Sequence, residues 1–313
     1  MHSSDIKKVA CIGVGTIGAG WATNFLWKGL QVLIQDINEE GLDRARKLIN
    51  SNLDFLLEKG LISQEMREIA DGNSTYTTSI EEALIDTPFV MESAFESYEV
   101  KKAIVQAMDQ YAPEAIYASS TSGLLISEIQ KHSKYPGRCI VAHPFNPPHL
   151  IPLVELVKGK MTSDEAIAVA YEFFESLGKA PIVVNKEVPG HIASRIQLAF
   201  WRECADLVLN GVCSVKDVDI ACSNGPGMRW ALMGPHMIWN LAHPNGIAAT
   251  ISHIGPSINM WLPDMADWKK IPDNAGEILQ EGLKEELVNT TSEELKKWRD
   301  DKLVEILKLT GKL

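Results

Sequence analysis

The stretch VACIGVGTIG at positions 9–18 decides how the first half of the chain folds. Its opening residues are apolar and prone to form a strand, and they run into the pattern G-x-G-x-x-G at the start of a predicted helix. Gly13 permits a tight turn, Gly15 lets a pyrophosphate approach the backbone, and Gly18 allows the helix to pack closely on the strand. The stretch therefore predicts a strand, a turn and a helix that bind a dinucleotide.

The residues around this turn indicate which dinucleotide is bound. The amides of Thr16 and Ile17 open the predicted helix, where unpaired N–H groups bind phosphate. A second predicted strand ends in Asp36, 18 residues after Gly18, where a carboxylate bonds the adenosine ribose and repels a 2′-phosphate. The next dipeptide, Ile37-Asn38, supplies no arginine for such a phosphate. We therefore expect the cofactor to be NAD rather than NADP.

Short runs rich in Val and Ile alternate with amphipathic stretches through the first 185 residues. The predicted strands are 9–12, 31–36, 89–92, 116–119, 139–142, 153–157 and 181–184, and the longer predicted helices are 17–30, 42–57, 98–111 and 163–177. Alternation of this kind predicts an α/β fold, a Rossmann-type, doubly wound and mostly parallel sheet. Beyond Pro189-Gly190 the pattern is helical throughout. We predict an NAD-binding domain at 1–188 and an all-α C-terminal substrate and dimerisation domain at 189–313.

Composition excludes several classes of function. The 313 residues carry a formal charge of −11, so neither nucleic acid nor an anionic membrane surface is an expected partner. No apolar stretch reaches the roughly 20 residues that span a bilayer, and residues 1–8 have no signal-peptide core, which predicts a cytoplasmic protein. The cysteines are scattered and never spaced as C-x-x-C, so neither disulfides nor a metal site is expected; they are Cys11, Cys139, Cys204, Cys213 and Cys222.

Three further segments carry a recognisable pattern. They are ESAFESYEVKK at 92–102, SSTSGL at 119–124, and HPFNPP at 143–148 followed by LVE at 153–155. With the glycine turn, they resemble the 3-hydroxyacyl-CoA dehydrogenase family over essentially the whole chain. The resemblance implies NAD-dependent oxidation of an L-3-hydroxy substrate to the 3-keto product, as in fatty acid metabolism. It also implies a homodimer formed through the helical domain.

A base for this oxidation is expected at the end of the run 139–142. Histidine has a pKa suited to proton transfer near neutrality, and His143 stands where open α/β sheets place their ligands. The resemblance implies that Glu155 orients this histidine and that Ser122 bonds the reacting oxygen. Taken alone, the same residues could be a structural histidine, an outward-facing strand glutamate and the N-cap of a helix over 124–129.

The resemblance also assigns further cofactor contacts. It implies that Asn146 lies near the nicotinamide ribose and that Glu96 and Lys101 line the cofactor. An Asn-Pro turn and a surface pair of charges on a helix are the alternatives that these residues leave open.

Two departures from the family pattern concern the substrate. Ser194 stands where the acyl-CoA enzymes have an asparagine, and segment 39–72 carries five basic against eight acidic residues, a poor cradle for the phosphates of coenzyme A. A small free 3-hydroxy acid would need a cation, for which Arg229 is the first candidate. Trp230 could hold a quaternary ammonium group by cation–π contact.

The substrate stays open at this point. SSTSGLL at 119–125 and GMRWALMG at 227–234 resemble most the branch that contains L-carnitine dehydrogenase, with lambda-crystallin, an L-gulonate 3-dehydrogenase, more distant. A coenzyme A thioester, carnitine and a sugar acid such as gulonate are the alternatives. A crystallin-like protein that binds NAD without turnover is the alternative outside enzymes, and the intact His143 and Glu155 argue against it.

Overall fold

The apolar runs of the sequence form a single sheet in the computed structural model, which describes residues 2–288 and 290–313. Within those residues the sheet has eight strands: β1 (Lys8–Ile12), β2 (Gln31–Gln35), β3 (Ser74–Thr77), β4 (Phe89–Glu92), β5 (Ile116–Ser119), β6 (Cys139–Pro144), β7 (Leu153–Lys158) and β8 (Ala180–Val184). Their spatial order is β3-β2-β1-β4-β5-β6-β7-β8. All neighbours pair in parallel except β6 and β7, which confirms the mostly parallel α/β fold.

Helices link the strands and cover the sheet. In chain order they are α1 (Thr16–Trp27), α2 (Glu39–Glu58), α3 (Gln64–Gly72), α4 (Ile80–Leu84), α5 (Tyr98–Tyr111), α6 (Ile126–Gln130) and α7 (Asp164–Ser176). Aromatic rings from α1, β4 and α7 pack on one another within the core, with Trp21 stacked on Phe25 and Phe89 against Phe173. Burial of these rings fixes α1, and with it the glycine turn, against the sheet.

The antiparallel pair β6–β7 follows from the length of its connection. Residues 145–152 are too few for the helical crossover that a parallel neighbour requires, so the chain turns back and pairs with the strand it has just left. In the resulting register His143 lies directly opposite Glu155. The fold thus brings together two side chains that are 12 positions apart in the sequence.

Strand β3 was not predicted from the sequence. Its residues, Ser-Thr-Tyr-Thr, are polar and only partly buried, because β3 pairs on one side alone and forms an edge of the sheet. The apolar run that identified the other strands, β8 at the opposite edge among them, is absent from β3.

Beyond β8 the described residues contain helices and no strand, which confirms the predicted helical C-terminal region. The helices are α8 (Ala193–Leu209), α9 (Val215–Asn224), α10 (Pro226–Trp230), α11 (Pro235–Leu241), α12 (Ile247–Trp261), α13 (Ala275–Glu286) and α14 (Ser292–Leu309). By backbone contacts the chain divides into a unit that runs to Ser194 and includes Lys312–Leu313, and a unit of Arg195–Gly311. Among the helices described, none combines the length and the apolar character that crossing a membrane requires.

Candidate active site

The glycine turn after β1 leaves no room for side chains at two of its three glycines. Gly13 has φ +80°, and a Cβ there would lie 2.6 Å from the Cα of Ala94; a Cβ on Gly18 would lie 2.0 Å from the carbonyl oxygen of Gly13. Gly15 differs, because a Cβ built on it meets none of the described atoms within 4 Å. The turn is therefore packed tightly against the sheet and open outward at Gly15.

A cavity of about 250 Å³ lies beside this open glycine. It is lined by Val14, Gly15, Thr16, Asp36, Gly41, Arg44, Ala45 and Leu48. Asp36 follows β2, and its carboxylate accepts hydrogen bonds from the amides of Val14 (3.0 Å) and Ile37 (2.7 Å). An open glycine at a helix N-terminus and a fixed carboxylate facing one cavity fit the pyrophosphate and ribose of NAD.

Arg44 is a component of this cavity that the sequence reasoning overlooked. It lies in α2 and forms an ion pair with Glu40 at its i−4 position. Arg44 lies outside the dipeptide Ile37-Asn38 that follows Asp36 in the sequence, and α2 brings it to the cavity that Asp36 lines. The arginine bears on the choice between NAD and NADP, because a guanidinium group can bind a 2′-phosphate.

His143 and Glu155 form a hydrogen-bonded pair. His143 Nδ1 lies 2.8 Å from Glu155 Oε2, and the other carboxylate oxygen accepts the amides of Ile192 (2.8 Å) and Ala193 (3.0 Å). Burial raises the pKa of Glu155, but the hydrogen bonds from His143 and the two amides outweigh it and leave that pKa below its ordinary value. A carboxylate only accepts, so the neutral imidazole carries its proton on Nδ1 and presents Nε2 as a base.

The loop that carries Ser122 is held by Glu96. The Glu96 carboxylate accepts hydrogen bonds from the Thr121 hydroxyl and the Gly123 amide (3.3 Å). Partial burial raises the pKa of Glu96, yet these bonds and the charge of Lys101 lower it overall. Both neighbours of Ser122 are thus fixed to one ionised carboxylate.

The helix N-cap suggested as an alternative for Ser122 is wrong. Helix α6 begins at Ile126, with Leu125 at the cap position. It is the Thr121 hydroxyl, not that of Ser122, that accepts the Leu124 amide (2.9 Å). Ser122 is exposed.

Lys101 does not present its charge to solvent. Its side chain is fully buried, and its ammonium group donates to both oxygens of Glu92 (2.8 and 3.0 Å) and pairs with Glu96 (3.3 Å). Glu92 also accepts the hydroxyls of Tyr117 (2.8 Å) and Ser119 (2.6 Å). The lysine therefore stands behind Glu96 and fixes it, so any contribution to the cofactor site passes through Glu96.

The sequence reasoning did not identify Glu92 as the centre of this network. The available signal was an acidic residue that ends the apolar strand FVME, with a lysine nine positions later. Lys179 was overlooked in the same way. Its buried ammonium group donates to the carbonyls of Pro148 and Ile151 (3.1 Å) and so ties down the loop that carries Asn146. Asn146 itself is exposed.

The predicted residues of the first unit meet at one edge of the sheet. The glycine turn, Asp36 and the Ser122 loop each follow the carboxyl end of a parallel strand, and His143 lies in the last residues of β6, at the end of the sheet where open α/β folds bind their ligands. Ser194 ends this unit, whereas Arg229 and Trp230 lie in α10 of the second unit, with Trp230 packed edge-on against Phe200 at 5.3 Å. The substrate roles of these three residues stay predictions.

The chain is similar to dehydrogenases along its whole length. Residues 8–188 match the 3-hydroxyacyl-CoA dehydrogenase NAD binding domain, and residues 190–280 match the C-terminal domain of the same family. An L-carnitine dehydrogenase of Streptomyces coelicolor is 37% identical, over 99% of this chain and 96% of that protein. A 3-hydroxyacyl-CoA dehydrogenase of Gibberella moniliformis is 34% identical, over 99% of this chain and 97% of its own length.

A solved structure agrees with the fold. The NAD⁺-dependent dismutase 5-formyl-3-hydroxy-2-methylpyridine 4-carboxylic acid 5-dehydrogenase is 28% identical and superimposes with a TM-score of 0.80, over 97% of each chain. Among the described residues of our chain, no group of three or more His, Cys, Asp or Glu side chains is arranged to hold a metal ion.

Proposed function

The chain belongs to the 3-hydroxyacyl-CoA dehydrogenase family and is an NAD-dependent oxidoreductase, and we propose that it oxidises a free L-3-hydroxy acid of the carnitine type. The observation that carries the reaction type is the pair of His143 Nδ1 and Glu155 Oε2 at 2.8 Å. The choice among substrates is supported by relatives named L-carnitine dehydrogenase at 34–38% identity.

In this proposal the pair of His143 and Glu155 removes the proton of the substrate hydroxyl and returns it in the reverse reaction. His143 Nε2 takes that proton, and the Ser122 hydroxyl bonds the same oxygen and holds it in place. Glu155 stays ionised and offsets the positive charge that the imidazole acquires. Held at the glycine turn and Asp36, NAD would supply the acceptor for the hydride of the carbon that bears the hydroxyl. In reduction His143 returns the proton to the same oxygen.

The charges of α2 and α3 support a free acid over a coenzyme A thioester. Of the five basic residues at 39–72, Arg44, Arg46, Lys59 and Arg67 each form an ion pair with an acidic neighbour. Cations that are already paired with carboxylates attract the three phosphate groups of coenzyme A only weakly. The exchange of the family asparagine for Ser194 points the same way, because the shorter side chain reaches less far toward a thioester carbonyl.

The proposed function is tested by initial rates of NADH formation with NAD and L-carnitine, L-3-hydroxybutyrate or L-gulonate at matched concentrations. We expect turnover of at least one of these free acids and fastest turnover of L-carnitine. No NADH from any of them, with turnover of L-3-hydroxybutyryl-CoA, would reject the free-acid proposal and keep the reaction type. No NADH from any of the four would reject both.

Replacing Asp36 with serine should weaken discrimination against NADP by about tenfold or more. The exchange removes the carboxylate that repels a 2′-phosphate and leaves Arg44 in the same cavity. The measurement is the ratio of kcat/KM for NAD to that for NADP. In the matched double variant Asp36→Ser/Arg44→Ala, the relative kcat/KM for NADP should be lower than in Asp36→Ser alone. An unaltered ratio of the two kcat/KM values in Asp36→Ser would mean that residues other than Asp36 discriminate between NAD and NADP.

We also propose that the protein is a homodimer that pairs through its helical unit. Large apolar side chains are exposed along α8 to α12, among them Ile196, Leu198, Trp230, Trp239 and Trp261. Exposed apolar surface of this extent is typical of a protein interface. Light scattering should give about twice the mass of one chain, and a monomeric mass would contradict the proposal. The cytoplasmic location inferred from the sequence stays a prediction.

A further inference from the structure

His191 is a second buried imidazole beside the dyad, and the proposed mechanism does not use it. It is 2% exposed, and its ring centre lies 5.1 Å from that of His143. Its backbone has φ +48°, in the left-handed region that side chains other than glycine rarely adopt. Residues held in such a conformation persist only where the surroundings fix them, and they cluster at functional sites.

The hydrogen bonds of His191 define which nitrogen carries its proton. Nε2 lies 3.0 Å from the carbonyl oxygen of Thr121, which can only accept, so the proton is on Nε2. Nδ1 is buried without a hydrogen-bonding partner among the residues that the structure describes. Burial lowers the pKa of this histidine, and His143 lowers it further, while the Thr121 carbonyl, Glu155 and Glu187 oppose the shift. The ring is therefore neutral, with one N–H bond.

That bond is one of two that connect two parts of the site. On one side, the Thr121 carbonyl accepts a hydrogen bond from His191 Nε2, and the Ser122 carbonyl accepts one from the Gly190 amide (2.9 Å). On the other side, the amides of Ile192 and Ala193 bind Glu155. The segment 190–193 thus joins the loop that carries Ser122 to the carboxylate that orients His143.

We propose that His191 is a positioning residue, which sets the separation between the Ser122 hydroxyl and His143 by fastening the Ser122 loop to the segment that holds Glu155. The inference deepens the proposed function and rests on it for the roles of Ser122 and His143. His191 touches neither substrate nor cofactor in this account. His191 affects the reaction through the Thr121 carbonyl and through the N-terminus of α8, which follows His191 in the sequence.

Two substitutions distinguish the effect of the hydrogen bond to Thr121 from the effect of the volume of the His191 ring. His191→Phe keeps a ring of similar size and removes the donor to Thr121. His191→Gln keeps an N–H donor at a similar reach and removes the imidazole. Because misplacement of a reacting group by about 1 Å can cost 10²-fold in rate, we expect His191→Phe to lose about 10-fold to 100-fold in kcat. We expect His191→Gln to keep kcat within about threefold of the wild type, with the Kd for NAD little changed in both.

Amide hydrogen exchange supplies a readout that does not depend on turnover. In His191→Phe, peptides that cover 119–125 and 188–195 should exchange about tenfold faster than in the wild type, and in His191→Gln they should not. Faster exchange in His191→Phe alone, in a protein that oxidises none of the tested substrates, would support the connection and count against the proposed function only.

Four results would overturn the inference, the last of them where His191→Phe does not fold. Equal amide exchange in all three proteins would show that the His191–Thr121 hydrogen bond does not hold the Ser122 loop to segment 190–193. Wild-type kcat in His191→Phe, with any exchange pattern, would show that positioning does not pass through this residue. Equal losses of kcat in both variants would assign the effect to the imidazole and not to the Nε2 donor. Should His191→Phe fail to fold, a loss of more than about tenfold in folded His191→Gln would have the same meaning.

Discussion

Replacing His143 with glutamine is expected to lower kcat by about 100-fold or more and to leave NAD binding nearly unchanged. Glutamine can still donate to Glu155, yet it has no nitrogen that takes up the hydroxyl proton. The cofactor cavity lies at the ends of β1 and β2, so the substitution removes none of the side chains that line it. The measurement is kcat from NADH formation together with the Kd for NAD from fluorescence titration.

The partner residue supplies the control. Glu155→Gln should also reduce kcat, because a neutral amide neither fixes the Nδ1–H tautomer nor offsets the imidazolium charge. Groups that act as one unit are not additive, so His143→Gln/Glu155→Gln should be little worse than His143→Gln alone. Unchanged turnover in His143→Gln would remove the histidine from the mechanism. Multiplying losses in the double variant would show that the two residues act separately.

Replacing Lys101 with methionine is expected to reduce the free energy of unfolding by about 3–5 kcal/mol. The exchange leaves the fully buried carboxylate of Glu92 without its cation, although Ala94, Tyr117 and Ser119 still donate to it. Urea unfolding followed by circular dichroism measures the loss. It should be far larger than the net value of an exposed ion pair, which is about 0–1 kcal/mol.

Two controls test the cause. Glu92→Gln/Lys101→Met removes both charges and should regain part of the lost stability, because no uncompensated charge is then buried. Lys270→Met breaks an ion pair with Asp273 in which both side chains are at least 80% exposed, and it should change stability little. A similar small change in Lys101→Met and Lys270→Met would contradict the account of the buried pair.

Local patterns were sufficient to predict the fold class and the cofactor. Runs such as Val9–Ile12 and Phe89–Glu92 are apolar because both faces of a parallel sheet are buried, so they stand out in the sequence. The glycine turn is equally recognisable, since its G-x-G-x-x-G pattern lies within six residues of sequence, although the side chain excluded at Gly13 would meet Ala94, which follows β4. The edge strand Ser74–Thr77 escaped prediction because it is polar and half-buried.

The contacts that complete the site depend on tertiary structure. Glu155 was paired with His143 through the resemblance, and the antiparallel register that places them opposite each other follows from the short connection at 145–152. His191 was missed because its partner Thr121 is distant in the sequence and becomes a neighbour only in the folded chain. Glu92 differs, because the buried acid at the end of an apolar strand and the lysine nine positions later were a signal that the sequence did contain.

The proposed function is oxidation of a free L-3-hydroxy acid in preference to a coenzyme A thioester. The most direct test is a competition, with equal concentrations of L-carnitine and L-3-hydroxybutyryl-CoA in one reaction with NAD and both products quantified by mass spectrometry. The product ratio at low conversion equals the ratio of the two kcat/KM values. We predict at least a tenfold excess of the product from L-carnitine, roughly 1.4 kcal/mol of discrimination. An excess of 3-ketobutyryl-CoA would contradict the claim.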